Sequence, residues 1–541
     1  MGTNRTCRIG RRGFLGACGA AVAGQWLGRA SAAEQAAVDH PNIVVFLIDD
    51  MGWQDTSLPF WSKPTSFNRH YRTPNMERLA RGGIRFTNAH AHPVCSPTRV
   101  SIMTGQNPAR HHVTNWIFGP DKDTSGNWGP VASPPDWRME GLQPGDVTLA
   151  ALLRDAGYYT IHCGKAHWGA RGTPGSDPRN LGFDVNIAGH AAGAPGSYQG
   201  LDDYGNNDPK RIEWAVPGLD KYHGTDVHLT DALTLEAVQA LDAAASTGKP
   251  FYLYMAHYAV HVPIQPHRRF HEHYENRNYT DTEYDIPPVE EDYASMIEGM
   301  DASLGALLDK LDQLGVAQNT LVIFTSDNGG LSAHARGITP RGTGLNTHNW
   351  PLKAGKGSAY EGGTRVPFIA AWAKPDPGSP IQRSLHIRPG STSDQPVISE
   401  DLFPTILGLA HAQDLIPQNH PVDGMDIRPF LGEQDACARA RSDKDRPLIV
   451  HYPHIWGPKG PGYEPHSSIR MGKWKAVYFY IPQKWELYNL DHDLPEQHDL
   501  ADSHPKKLRQ LAQKLNSAFV EMKVQWPVDR QTKQPLPIPR P

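Results

Sequence analysis

Two pairs of hard oxygen donors, Asp49-Asp50 and Asp327-Asn328, stand far apart in the 541-residue chain, each directly after a short apolar run. They carry three formal negative charges and no thiolate or imidazole, a donor set that suits Ca2+ and, less readily, Mg2+. A single such pair serves equally well to cap the turn that follows it; two pairs after two apolar runs favour a metal. Two further runs end in other chemistry: Tyr158–Cys163 leads to Lys165 and His167, and Phe251–Ala256 to His257 and His261. Cys95-Ser96-Pro97-Thr98-Arg99 opens a helix-like stretch that ends at Thr104-Gly105, with Pro97 in the first turn, where its missing N–H costs little. Cys95 then sits at a helix N-terminus, where the dipole and unpaired N–H groups favour an anion and Arg99 adds fixed positive charge. By residue type alone Cys95 is an activated cysteine, part of a phosphate or sulfate site, or a buried structural thiol. His257, a lone extra histidine four residues before His261, reads as structural.

The elements that must position these side chains are legible as periods. Asn42–Ile48 (NIVVFLI), Tyr158–Cys163, Phe251–Ala256 (FYLYMA) and Leu321–Ser326 (LVIFTS) read as buried strands. Asp292–Leu314 reads as an amphipathic helix: Tyr293, Met296, Ile297, Met300, Leu304, Leu307, Leu308 and Leu311 recur mostly at three- and four-residue steps, and Gly315 supplies the stop. Thr73-Pro74 opens a short helix that Gly82-Gly83 ends. Strands alternating with helices predict an α/β fold, a large, mostly parallel sheet sandwiched by helices. In such sheets ligands bind outside the carboxyl ends of the strands. All four runs then deliver their polar residues to one crevice.

Beyond about residue 435 the pattern changes to closely spaced strands (Leu448–Tyr452, Trp474–Tyr480, Trp485–Tyr488) and a helix near Pro505–Met522. This predicts a smaller α+β unit with a short antiparallel sheet over 446–541, after a main domain over 40–435. The Pro-rich tail 531–541 reads as extended surface chain.

Apolar residues at 39%, with 51 Gly, place the chain among folded globular proteins, and 47 Pro predict long ordered loops. Net charge is −4, but the first 32 residues hold five Arg and no acid, so the remainder is −9. Nucleic acid is thereby excluded as the expected partner. An anionic substrate has to be drawn by a local cluster of Lys, Arg and some of the 27 His. Arg11-Arg12-Gly13-Phe14-Leu15-Gly16, a weakly apolar stretch from Ala17 to Leu27, and Ala30-Ser31-Ala32 predict a cleaved twin-arginine signal over 1–32. The expected partner is the twin-arginine translocation machinery and the expected location periplasmic or secreted. No window approaches 18 apolar residues, so no membrane span is expected. Cys7 and Cys18 go with the signal, and Cys95, Cys163 and Cys437 do not make a disulfide framework.

At Cys95-x-Pro97-x-Arg99 with Thr104-Gly105 the sequence resembles the formylglycine-dependent sulfatases of the alkaline-phosphatase-like superfamily. The likeness extends over Thr73-Pro74-Asn75, Gly164-Lys165-x-His167, Ser326-Asp327-Asn328-Gly329, Lys356-Gly357-x-x-x-Glu361-Gly362-Gly363-x-Arg365 and Glu486-Leu487-Tyr488-Asn489-Leu490. It implies that a maturation enzyme oxidises Cys95 to formylglycine, which hydrates to a gem-diol nucleophile. Asp49, Asp50, Asp327 and Asn328 would hold one Ca2+ together with an oxygen of residue 95. Arg99 would stabilise the hydrated aldehyde, and Lys165 and Lys356 would neutralise the sulfate oxygens. His261 would contact the ester and, with Lys356, help protonate the leaving oxygen, while His167 would assist sulfate release. Ala166 and Trp168 replace the Trp and Leu that commonly flank this histidine, and Thr98 stands where Ser is commoner; none of these removes a catalytic atom.

The long loop between Asn328 and Lys356 carries His334, Arg336, Arg341, His348 and Trp350, and the second unit adds His451, His454, Trp456 and Lys459. Aromatic rings with scattered cations suit a sulfated sugar, with His334, His348, Trp350 and His454 as candidate contacts. The expectation is a sulfuric ester hydrolase acting on a sulfated carbohydrate. An arylsulfatase or a phosphonate or phosphate ester hydrolase is the rival, and a non-catalytic sulfoglycan-binding protein the more distant one.

Overall fold

A computed structural model of the chain describes residues 40–275, 280–281, 284–285, 289–332, 336, 347–432, 446–457 and 460–538. The signal over 1–32, His334, Arg341, Cys437 and Lys459 lie outside the described residues. An eight-stranded sheet forms the centre, in the order Ser391–Ser393, Gly83–Phe86, Phe368–Trp372, Thr320–Ser326, Asn42–Ile48, Phe251–Ala256, Tyr159–Gly164 and Val185–Ile187. Only Phe368–Trp372 runs against the others. Alternation along the Asn42–Ile48 strand divides the core in two. Val44, Phe46 and Ile48 pack with the helices Leu229–Ser246 and Val289–Gln313; Ile43, Val45 and Leu47 pack with Cys95–Thr104, Leu149–Asp155 and Leu402–Leu409. A strand buried on both faces has no polar side to show, which is why its sequence is one unbroken apolar run.

Register turns this sheet into a site. Ile48 pairs with Ser326 and Leu47 with Ala256, while Gly164 pairs with Ala256 on the far side. Asp49, Asp327, His257 and Lys165 are therefore the next residues out of four adjacent parallel strands. Gly164 has φ +101°, and a Cβ there would lie 1.9 Å from the Ala256 carbonyl oxygen, so only glycine lets this strand turn out toward Lys165.

The expected helices form. Val289–Gln313 buries all eight periodic residues named above, Pro74–Arg81 is closed by Gly82, and Cys95–Thr104 is closed by Gly105 at φ +70°. A separate antiparallel sheet, Leu448–Tyr452, His466–Met471, Trp474–Phe479 and Lys484–Asn489, packs on the helix Pro505–Met522. Among the described residues, no helix is long and apolar enough to cross a membrane.

Candidate active site

The residues leaving the four strands meet in one buried cluster. Lys165 Nζ lies 2.6 Å from Asp49 Oδ2, Lys356 Nζ 2.7 Å from Asp50 Oδ1, and Arg99 Nε donates to Asp327 Oδ2 at 2.8 Å. Asn328 Nδ2 donates to Asp50 Oδ1 at 2.8 Å, and the Asp50 N–H to Asp327 Oδ1 at 3.2 Å. Asp50 is in the left-handed region, at φ 63°. Three carboxylates thus face three cations with almost no water to screen them, and each carboxylate is fully buried.

The electrostatics are uneven. Burial and the neighbouring Asp327 push the Asp49 carboxyl well above its ordinary range, with Lys165 opposing them. Burial opposes charge on Asp50 too, but there Lys356 and His261 prevail and hold its pKa down. Burial raises the Cys95 thiol, against the pull of Lys165 and Lys356. His261 is pushed down to about 3 by burial and then by Lys356; its Nδ1 is 2.9 Å from the Val262 carbonyl oxygen and its Nε2 3.5 Å from Asp50 Oδ2. His167 is likewise held neutral, chiefly by burial, with Nε2 2.7 Å from the Ile117 carbonyl oxygen.

Four polar atoms stand out. Asp49 Oδ1, Asn328 Oδ1, Arg99 NH2 and His167 Nδ1 are buried and hydrogen-bonded to nothing among the described residues. Asp49 Oδ1 and Arg99 NH2 are 3.9 Å apart, too far to bond each other. Buried polar atoms of this kind cost free energy unless something else pairs with them. Among the described residues, Asp49, Asp50 and Asp327 are the group whose ligand atoms all lie within 4.8 Å of one another. Two unpaired acceptor oxygens in a carboxylate cluster fit a hard cation.

Cys95 opens a cleft of about 590 Å³ that it shares with His167, His261 and Lys356. The Cys95 helix is docked on the histidine: Ser96 Oγ donates to the His167 carbonyl oxygen at 3.0 Å, and Trp168 Nε1 to the Arg99 carbonyl oxygen at 3.1 Å. On the other side of the ring, a Cβ added to Gly193 would lie 2.3 Å from His167 Cε1. Gly193→Ala is expected to displace this ring and to lower kcat/KM at least about 100-fold, with little change in thermal unfolding; a turnover assay and a melting curve measure the two.

The family model described as Sulfatase matches residues 41–412. The chain belongs to the sulfatase family. It is an enzyme of sulfate ester hydrolysis with the alkaline-phosphatase-like architecture of its relatives. It is 32% identical to the N-acetylgalactosamine-6-sulfatase of Mus musculus over 465 residues, 84% of this chain and 75% of that protein. The crystal structure of Ps i-CgsB superposes with TM-score 0.66 at 29% identity, covering 89% of this chain and 93% of that one. The same protein in complex with k-i-k-neocarrahexaose gives TM-score 0.66 at 27% identity, with the same coverage.

In this sulfatase every metal-ligand and catalytic residue expected from the sequence falls in the one cluster or its cleft. Of the four expected sugar contacts, His334 lies outside the described residues, and His348, Trp350 and His454 do not line the cleft. His454 is buried, with Nε2 2.8 Å from Thr114 Oγ1 and Nδ1 2.9 Å from Ser133 Oγ. His348 is buried, and Trp350 packs against the apolar core under the sheet. His257 is a structural histidine, as expected, with Nε2 2.9 Å from Ser303 Oγ. Beside Trp456, the cleft is instead lined by Trp116, Trp214 and Arg211, which the sequence did not single out. They sit on loop segments and a single short 3-10 turn, Ile212–Trp214, too short for a period to mark a residue as facing a site.

Proposed function

We propose that this sulfatase is an exported carbohydrate sulfatase, matured by oxidation of Cys95 to formylglycine and dependent on one Ca2+ held by Asp49, Asp50, Asp327, Asn328 and residue 95. The observation that carries the reading is the set of four unpartnered buried polar atoms around a Cys95 that opens onto the cleft. Acceptors Asp49 Oδ1 and Asn328 Oδ1 suit the cation, and the Arg99 NH2 donor suits an oxygen-bearing group at position 95. When present, the ion and the hydrated aldehyde supply charge neutralisation and an oxygen nucleophile respectively.

The chain's own side chains do the rest. Lys165 and Lys356 face the sulfate oxygens, where displacement at sulfur spreads negative charge. His167, whose Nε2–H is committed to the Ile117 carbonyl, keeps Nδ1 as a proton acceptor in the cleft. His261 is neutral in the free protein; an ester anion bound between it and Lys356 raises its pKa, so that Nε2 can protonate the leaving oxygen. Support for a sugar as leaving group comes from the indoles of the cleft and from relatives named for sulfated saccharides. Export by the twin-arginine route fits a protein that must be oxidised and folded before it crosses a membrane; the destination is the periplasm or the medium.

The mass of tryptic peptide 86–99, from protein made with a maturation enzyme, tests the nucleophile, and sulfate release from sulfated oligosaccharides tests the substrate class. An intact thiol, under conditions that mature a control sulfatase, overturns the first. Rapid hydrolysis of aryl sulfates with none of any sulfated glycan overturns the second. Removing the ion by chelation is expected to abolish turnover and lower the melting temperature, because three buried carboxylates then face only their lysines and arginine. Ca2+ should restore both and Mg2+ should not.

A further inference from the structure

The cleft is larger than a sulfate group needs. Beyond Cys95, Lys356, His167 and His261 it is walled by Trp116, Trp214, Arg211 and Trp456. Two parts of this wall are tied to the catalytic histidine. Trp116 precedes Ile117, whose carbonyl oxygen meets His167 Nε2, and Gly193, packed against the His167 ring, starts the segment that returns at Arg211 and Trp214. That segment is braced by its own backbone. Gly196 N–H donates to the Trp214 carbonyl at 2.7 Å, Trp214 N–H to the Arg211 carbonyl at 2.7 Å, and Arg211 NH1 to the Gly196 carbonyl at 3.0 Å.

Trp214 packs at 5.1 Å from Phe118 and 6.4 Å from Trp116, centroid to centroid, and all three rings remain half-buried. Indoles fixed in place but not sunk into a core offer flat faces on which a sugar ring can stack. Arg211 supplies charge to the same wall. Its side chain is 48% exposed, its Nε is 3.5 Å from Asp208 Oδ2, and its NH2 donates to nothing among the described residues.

We propose that Arg211 and the Trp116–Trp214 wall form a second subsite, which stacks the sugar and pairs Arg211 with a second acidic group of the substrate, a sulfate or a uronate carboxylate. The inference rests on the carbohydrate reading above and adds to it that the preferred substrate is polyanionic. A guanidinium fork matches either oxyanion with two parallel bonds, and its half-exposed position limits the gain to about tenfold.

Matured wild type, Arg211→Ala, Arg211→Lys and Trp214→Ala are compared on 4-nitrophenyl sulfate and three galactose-based disaccharides, carrying one sulfate, two sulfates, or one sulfate and one uronate. On the disaccharide with the matching second acid, Arg211→Ala should lose about tenfold in kcat/KM, mostly through KM, against less than about threefold on the monosulfated one. Arg211→Lys should fall between. Trp214→Ala should lose more on every disaccharide than on 4-nitrophenyl sulfate. Which doubly acidic substrate shows the drop identifies the acid. An equal loss on all three disaccharides, or none, overturns the subsite and leaves the carbohydrate reading standing. Hydrolysis of 4-nitrophenyl sulfate with neither these disaccharides nor any other sulfated glycan cleaved overturns both.

Discussion

Cys95→Ala protein should release no measurable sulfate, a loss of at least about 10⁴-fold in kcat, and should melt within a few degrees of the wild type. The asymmetry follows from where the residue sits. Its side chain is small and opens onto the cleft, so truncation removes little packing and creates a void that water can reach. No other oxygen or sulfur nucleophile among the described residues stands in its place: Lys165 and Lys356 are held against Asp49 and Asp50, and Ser96 Oγ donates to the His167 carbonyl. Cys163 is the control. Its thiol is buried, raised by burial, and donates to the Leu233 carbonyl oxygen at 3.4 Å, away from the cleft. Cys163→Ala should stay within a few-fold of wild-type turnover. Retention of more than about 1% of activity by Cys95→Ala would assign the nucleophile elsewhere.

The contrast between the two cysteines shows what a sequence can reveal here. The central strands were legible because burial on both faces writes a continuous apolar run, and the residue after each run is placed by register alone; hence Asp49, Lys165 and Asp327 were found together. Phe368–Trp372 was not found, since FIAAW is only five residues long and two of them are alanine, and the three- and four-residue strands Ser391–Ser393 and Gly83–Phe86 are too short for a period. His466–Met471 (HSSIRM) reads as polar, yet lies inside a sheet with five of its six residues buried. Its polar groups are satisfied by distant partners: Ser467 Oγ lies 2.8 Å from His451 Nδ1, and Arg470 NH1 reaches Glu361 Oε2 at 3.5 Å. His454 shows the same effect in reverse. His454 looks available beside its Gly-Pro turns, but Thr114 and Ser133, more than three hundred residues earlier, take both of its nitrogens.

Arg470 belongs to a second buried ionic cluster, and neutralising its central acid, Glu361, should give the largest loss of stability. Glu361 Oε2 accepts from Arg365 Nε at 2.9 Å, and Lys475 Nζ lies 3.0 Å from Glu361 Oε1 and 2.9 Å from Glu496 Oε1; Arg470 is the third cation. Arg470 and Lys475 come from the C-terminal sheet, whereas Glu361 follows Lys356 by five residues on the loop that enters the active site. One carboxylate therefore ties the C-terminal sheet to the loop that carries Lys356. Glu361→Gln keeps the shape and removes the charge, leaving Arg365, Arg470 and Lys475 buried without their shared carboxylate, at an expected cost of about 3–5 kcal/mol and a fall in Tm of roughly 5 °C or more. Burial opposes ionisation of Glu361, but Lys475, His90 and Arg365 together hold its pKa well below the ordinary 4.5. A carboxyl depressed on folding contributes fully above its unfolded pKa, and that contribution is lost as pH falls through the folded value. The part of the stability gap that comes from ionisation of Glu361 itself should therefore be fully present above about pH 5 and close progressively below about pH 4.5. Pairing the change with Lys475→Met should cost less than the two single substitutions summed, because the double variant strands fewer charges. A Glu361→Gln protein as stable as wild type at pH 7, with no narrowing of the gap in acid, would mean that shape rather than charge joins the C-terminal sheet to the Lys356 loop.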